Sequence, residues 1–219
     1  LATLPLQSGP LAAQVLEEAM AAGFGGAMIG TLPHGGAGCL DAPDLDPLWE
    51  TASRLEAPLM LHPMFVCGEP RLADYDLTNA IGRIVDTSIA VSRLLFSGHL
   101  LRFPGVKLVL SHGGAALPFV LGRLARHHEH YRDQYADPRR GFEAMYFDAL
   151  VFDADSTRYL VDKAGAERVM LGSDMPFPAG DPHPLRPIDA AITDPAERRA
   201  ILGDNARRVF RVRRDCRVP

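Results

Sequence analysis

Three apolar runs in this sequence end in a side chain that can bind a metal or move a proton. Leu108-Val109-Leu110-Ser111-His112 ends in an imidazole, with Gly113-Gly114 behind it. Leu59-Met60-Leu61-His62-Pro63 delivers a second imidazole, and Val169-Met170-Leu171-Gly172-Ser173-Asp174 delivers a carboxylate. Imidazole and carboxylate are the donors that zinc and related ions take, and catalytic metal sites keep one position open for water or substrate. His62 and Asp174 suit the role of ligands. His112 suits either a ligand or a general base, because an imidazole exchanges protons near neutral pH.

Each residue also has a plainer reading. His62 could be a core histidine bonded to backbone, and Asp174 the N-cap of a helix. Asp148 closes the run Met145-Tyr146-Phe147-Asp148, and an aspartate there is as often a loop cap as a catalyst. His127, His128 and His130 crowd a charged stretch that reads as a solvated helix face rather than a metal tract. His34 and His99 carry no distinguishing pattern. Arg123 follows the His112 run by one helix and reads as a surface ion pair, with carboxylate binding as the sharper alternative.

Strands and helices must alternate for these groups to meet. Strands are expected at 1–6, 26–31, 58–62, 106–112, 145–148 and 169–174. Between them lie helical periodicities with start signals at Pro10, Asp46-Pro47, Asp86-Thr87, Pro118, Ser156 and Asp194-Pro195. A long connection spans 64–82, and the last helix is expected to stop near Gly203. Short apolar strands separated by helices mean a parallel sheet with helical crossovers, whose chemistry gathers at the carboxyl ends of the strands.

Composition narrows the function classes. The 219 residues are enough for one domain with a sizeable core, and a 47% hydrophobic content is that of an ordinary globular chain. A net charge of -4 gives no electrostatic case for nucleic acid. The basic tail, Arg207-Arg208 and Arg211 through Arg217, reads as a solvated face. No apolar run reaches the length of a membrane span. Three dispersed cysteines, Cys39, Cys67 and Cys216, form no disulfide framework, and free thiols point to a reducing compartment, the cytoplasm.

In these residues the chain resembles the branch of the amidohydrolase superfamily that includes 2-amino-3-carboxymuconate-6-semialdehyde decarboxylases. The resemblance runs from Leu1 to about Phe210. It rests on Leu4-Pro5-Leu6-Gln7, Ile29-Gly30-Thr31, His62-Pro63, Asp86-Thr87 with Ile89-Ala90, Ser111-His112-Gly113-Gly114 through Gly122-Arg123, Tyr146-Phe147-Asp148-Ala149-Leu150, and Gly172-Ser173-Asp174 with Pro176-Phe177-Pro178. It implies a (β/α)8 TIM barrel with one catalytic divalent metal, zinc in the first instance and manganese in the second. By resemblance His62 and Asp174 are metal ligands on strands five and eight, and His112 is the catalytic histidine on strand six. Arg123 is an arginine that crosses a homodimer interface to a substrate carboxylate, and Phe177 lines the pocket.

Two departures accompany the resemblance. The family's strand-one His-x-His pair is absent, and Leu1 corresponds to the start of strand three. Strands one and two are therefore missing, and 1–219 is expected to be the C-terminal six β/α units of a longer single-domain barrel. Relatives acting on aminocarboxymuconate semialdehyde also place tryptophans where this chain has Met64 and Asp76, which changes the pocket. The function implied is non-oxidative decarboxylation of a small unsaturated or aromatic carboxylate. The alternatives are a metal-dependent hydrolase or hydratase using the same site, and an inactive truncated scaffold.

Overall fold

A computed structural model describes residues 1–35, 37–66 and 68–212. The chain alternates strand and helix: β1 (Ala2–Thr3), α1 (Gly9–Ala21), β2 (Ala27–Ile29), α2 (Asp46–Leu55), β3 (Pro58–Leu61), α3 (Arg83–Phe96), α4 (His99–Arg102), β4 (Lys107–Leu110), α5 (Leu117–His130), α6 (Pro138–Phe142), β5 (Tyr146–Asp148), α7 (Ala154–Ala164), β6 (Val169–Met170), α8 (Leu185–Ala191), α9 (Pro195–Arg199) and α10 (Asn205–Val209). The strands form one parallel six-stranded sheet in sequence order, β1-β2-β3-β4-β5-β6.

Local chemistry explains the helix starts. Ser8 caps α1 by accepting from the Leu11 amide, with Pro10 in the first turn where its missing N–H costs nothing. Asp153 and Asp194 cap α7 and α9 through their carboxylates. α2 ends on Glu56 in a left-handed conformation (φ 48°).

Both faces of the sheet are used. Leu59, Leu61, Leu108, Leu110, Phe147 and Val169 are wholly buried beneath the helices, and full burial of such side chains contributes about 1.5–3 kcal/mol each. Trp49 is equally buried, and its indole N–H donates to the Leu40 carbonyl at 2.8 Å, so its one polar group is satisfied. The opposite face carries one row at matched register, Met28 beside Met60, Met60 beside Val109 and Val109 beside Tyr146. Val209 of α10 and the following Phe210 pack against this second face with Val109, Met60, Met170 and Tyr146. The chain passes so close that a Cβ on Gly25 would lie 2.7 Å from the Phe210 carbonyl oxygen. The last helix thus plugs the inner face near the strands' amino ends and leaves the carboxyl ends for the site.

β1 and β6 each pair with a single neighbour among the described residues. Apolar groups stand exposed at these margins, Leu1 and Met28 on one side and Leu171 on the other. An eight-stranded barrel fills such a gap with two further strands.

Several boundaries differ from the sequence expectation. Asp86-Thr87 does not open a helix. α3 begins earlier, at Arg83, continuing a wide turn over Thr78–Gly82. Asp86 and Thr87 are buried, and the Asp86 carboxylate accepts the Thr31 hydroxyl. Nor does Gly203 end the last helical segment. A second wide turn over Ala200–Asp204 carries it into α10, anchored where the Asn205 amide donates to the Ala166 and Val169 carbonyls at 2.7 Å each. The strands expected at 1–6 and 169–174 are shorter than their apolar runs, and α4, α6 and α8 lie in stretches without clear periodicity. No described helix is long and apolar enough to cross a membrane. Cys39 forms no disulfide among the described residues, and Cys67, Cys216 and the tail from residue 213 onward lie outside the described residues.

His99, which no sequence pattern marked, is buried at the start of α4. Its Nδ1 lies 2.7 Å from Ser97 Oγ, its Nε2 lies 3.4 Å from Asp46 Oδ1, and its ring meets Trp49 edge-on. Burial pushes its pKa below the usual histidine value and Arg102 adds to this, outweighing the pull of Asp46. The folded state therefore holds a neutral ring that the unfolded chain protonates near pH 6.5. The unfolded state binds more protons below that value, so stability is full above about pH 6.5 and falls as pH drops toward the folded pKa. Urea unfolding from pH 7.5 to 5 checks this: the loss of stability is expected to be shallower in His99→Gln than in the unmodified protein, and parallel curves would contradict it.

Candidate functional site

The strands' carboxyl ends converge on one point. β3 continues past Leu61 by one further ladder bond, from the His62 amide to the Ile29 carbonyl at 2.9 Å, which fixes the backbone that carries the first imidazole. β4 extends in the same way. The Ser111 amide and hydroxyl both donate to the Leu61 carbonyl, at 3.1 and 3.0 Å. Asp174 lies four residues beyond β6, in a left-handed conformation (φ 53°) that a β-branched residue would resist. Its loop is tied down by the Asp181 amide donating to the Ser173 carbonyl at 2.8 Å.

The side chains meet there. His62 Nε2 lies 3.1 Å from Asp174 Oδ1, and His112 Nε2 lies 3.6 Å from Asp174 Oδ2. The imidazole rings are 5.1 Å apart, and the three donor atoms all fall within 4.8 Å of one another. The side chains are 12%, 12% and 17% exposed for His62, His112 and Asp174, so they face a recess rather than open solvent. No other cluster of potential metal ligands occurs among the described residues. Imidazole nitrogen and carboxylate oxygen are donor types that zinc and manganese take, so His62 and Asp174 fit as two ligands, with His112 close enough to act on what binds beside them. Phe177 stacks on His62, ring to ring at 6.1 Å and 17°.

Burial pushes the His112 pKa down, although Asp148 and Asp174 pull the other way. Its ring is therefore neutral at pH 7 and can accept a proton. The backbone beneath it is unusual. His112, Gly113, Gly114 and Ala115 all have positive φ. A Cβ on Gly113 would collide with Val151, and one on Gly114 would lie 2.6 Å from the Phe147 ring. This turn is pinned by Asp148, whose Oδ1 accepts from the Gly113 amide at 2.8 Å and the Leu150 amide at 3.1 Å. Burial raises the Asp148 pKa, and those two amides work against the rise. Gly172 makes room for this carboxyl group, since a Cβ there would sit 2.7 Å from Asp148 Cβ.

Of the residues singled out in the sequence, His62, His112, Asp174 and Phe177 are thus brought together. Asp148, given less weight on sequence grounds, lies directly behind them. Arg123 is not at this chain's own site: it is exposed on α5 and makes no hydrogen bond or ion pair among the described residues. His127 sits among Phe96, Tyr131 and Tyr135 rather than in a metal tract. A cavity of about 790 Å3 opens beside the site, with His112 and Gly113 in its wall, a volume typical of small-molecule sites. Arg83 also lines it. No sequence signal marked Arg83, because it falls in the long connection without periodicity.

A 2-amino-3-carboxymuconate-6-semialdehyde decarboxylase of Dictyostelium discoideum is 31% identical over 214 residues, covering 94% of this chain and 59% of that protein. A gamma-resorcylate decarboxylase of Rhodococcus jostii is 30% identical, covering 97% of this chain and 70% of its own length. Among solved structures, the 5-carboxyvanillate decarboxylase of Sphingomonas paucimobilis superposes with a TM-score of 0.87 at 27% identity, covering 97% of this chain and 66% of that one. The six-stranded sheet corresponds to six of the eight β/α units of such a barrel, and the chain spans 59% to 70% of the length of these relatives. The family profile for amidohydrolases matches residues 1–212, and the chain belongs to that family.

Proposed function

We propose that the site carries out metal-dependent, non-oxidative decarboxylation of a small aromatic or conjugated carboxylate. The observation that carries this reading is the convergence of His62, His112 and Asp174 in a recess beside an apolar cavity, in a chain similar to three decarboxylases. His62 Nε2 and the Asp174 carboxylate are the residues we assign to hold one divalent ion, zinc first and manganese second. A metal held there supplies a Lewis acid that polarises a substrate oxygen.

The remaining chemistry belongs to the chain's own side chains. Decarboxylation exchanges a carboxylate for a proton: the C–C bond breaks, its electrons pass to a new C–H bond, and CO2 leaves. His112 carries that proton from water to the carbon that bears the carboxylate. It is suited to this because burial holds it neutral at rest. Asp148 fixes the turn from which it projects. Phe177, half-exposed and stacked on His62, covers one side of that imidazole. Free Cys39 supports placing this reaction in the reducing cytoplasm.

We further assign Arg123 to the active site of a partner subunit in a homodimer. Arg123 and Phe119 lie four residues apart on one face of α5, and Phe119 is 82% exposed yet lines the cavity. A second copy docked on this face would cover that phenylalanine and bring its arginine toward the cavity, where a guanidinium can pair with a carboxylate.

Four outcomes test the reading. CO2 release should be detectable with at least one member of a panel built from the three carboxylates that name the relatives. His112→Asn should lower that rate by ~10²–10⁴-fold with metal retained; near-full turnover would remove His112 from the chemistry, and hydrolysis or hydration without CO2 would favour the hydrolase or hydratase alternative. Asp148→Ala, which orphans two amides, should cost roughly 1–3 kcal/mol in urea unfolding, while Asp148→Asn keeps an acceptor and most of that stability. Equal losses in both would contradict the pinning role. Mixing inactive Arg123→Ala and His112→Ala subunits should restore about a quarter of the native rate, since half the dimers are mixed and each holds one complete site; no recovery would place Arg123 outside a shared site.

A further inference from the structure

Arg83 is a cation that the site described so far does not use. It is half-buried at the first turn of α3, directly after the wide turn over Thr78–Gly82, and such turns recur at functional sites. Its Nε donates to Asn79 Oδ1 at 2.8 Å, and its Nη1 donates to the Pro63 carbonyl at 2.8 Å, with the Met64 carbonyl at 3.4 Å. Asn79 is held in turn by donating to Asp76 Oδ1 at 2.8 Å. The guanidinium is thus oriented by neutral groups, one of them the carbonyl of the residue that follows His62. No carboxylate among the described residues lies within ion-pair distance of it.

Arg83 and His112 line the same cavity, and Arg83 is its one arginine or lysine among the described residues. Much of the wall is apolar and aromatic, with Phe119, Val151, Phe152 and Leu160. Asp76 and Asp155 also reach the cavity, but both are exposed and screened by water. A partly desolvated guanidinium without a counter-charge, held rigidly beside flat apolar walls, is a receptor for an anion carried on a planar body.

We propose that Arg83 binds a second acidic group of the substrate, distinct from the carboxylate that departs, so that the cavity selects dianionic aromatic or conjugated acids over monocarboxylates. This rests on the decarboxylase reading for the location of the site, but not on the dimer, because Arg83 and His112 come from one chain.

The test measures binding, which needs no turnover. Benzene-1,3-dicarboxylate and benzoate are titrated calorimetrically into the intact protein and into Arg83→Met and Arg83→Lys, with unfolding midpoint and metal content followed in parallel. The native protein is expected to bind the dicarboxylate at least ~10-fold more tightly than benzoate, the scale of one charge-assisted contact. Arg83→Met should lower that preference severalfold and leave benzoate within about twofold, with any remainder due to the partner's Arg123, while Arg83→Lys, which keeps the charge without the fork, should retain more of it. Equal weakening of both ligands would mean that Arg83 only braces the Pro63-Met64 backbone, and would overturn the proposal. So would a preference undiminished by Arg83→Met, or no binding of the dicarboxylate to the native protein. An Arg83-dependent preference in a protein that releases no CO2 would instead sink the decarboxylase reading and leave this one standing.

Discussion

The site depends on the curl of a parallel sheet. β3 and β6 are three strands apart, and neighbouring strands lie about 4.8 Å from each other, so flat strands would hold their ends roughly 14 Å apart. Yet His62 Nε2 and Asp174 Oδ1 lie 3.1 Å apart. Side chains directed inward from a curved sheet close that distance. Twist supplies the curvature, and the inner row of Met60, Val109 and Tyr146, packed against Val209 and Phe210, fills the concave side. The plug at the amino ends and the site at the carboxyl ends are two consequences of one curved surface.

Backbone conformation then sets what the curl brings together. Four consecutive residues from His112 to Ala115 have positive φ, a run that the chain tolerates only because two are glycines and because Asp148 holds the first glycine's amide. The carboxyl group that does this is buried, which raises its pKa, and the amides that it satisfies are what make its burial tolerable. Gly172 leaves space for it. Asp148 is therefore a support for His112 through the backbone, holding the turn from which the imidazole projects toward Asp174.

Much of this was legible in the amino-acid sequence, because an apolar strand that stops at an ionisable residue is a local pattern. His62, His112 and Asp174 are each written that way, and parallel topology places their ends together. Asp148 follows the same pattern, but its importance comes from an amide 35 residues away, a partnership no local pattern records. Asp86-Thr87 looked like a helix start because aspartate and threonine cap helices. Here they lie buried within α3, with the carboxylate spent on Thr31 across the fold. Gly203 misled in the opposite direction, since tertiary anchoring through Asn205 carries the helix past it. Arg83 lies in a stretch whose order comes from the Pro63 carbonyl and Asn79, not from periodicity.

The central claim is that His62 and Asp174 hold a metal beside a histidine that does not. The direct measurement is elemental analysis of the intact protein after equilibration with zinc or manganese, made on the native chain and on His62→Ala, Asp174→Ala and His112→Asn. The account predicts ion uptake by the native chain, weak where His62 and Asp174 are its only protein ligands, most of it lost in His62→Ala and Asp174→Ala and retained in His112→Asn. A native chain that holds no ion, or one whose ion content is indifferent to His62 and Asp174, would contradict it.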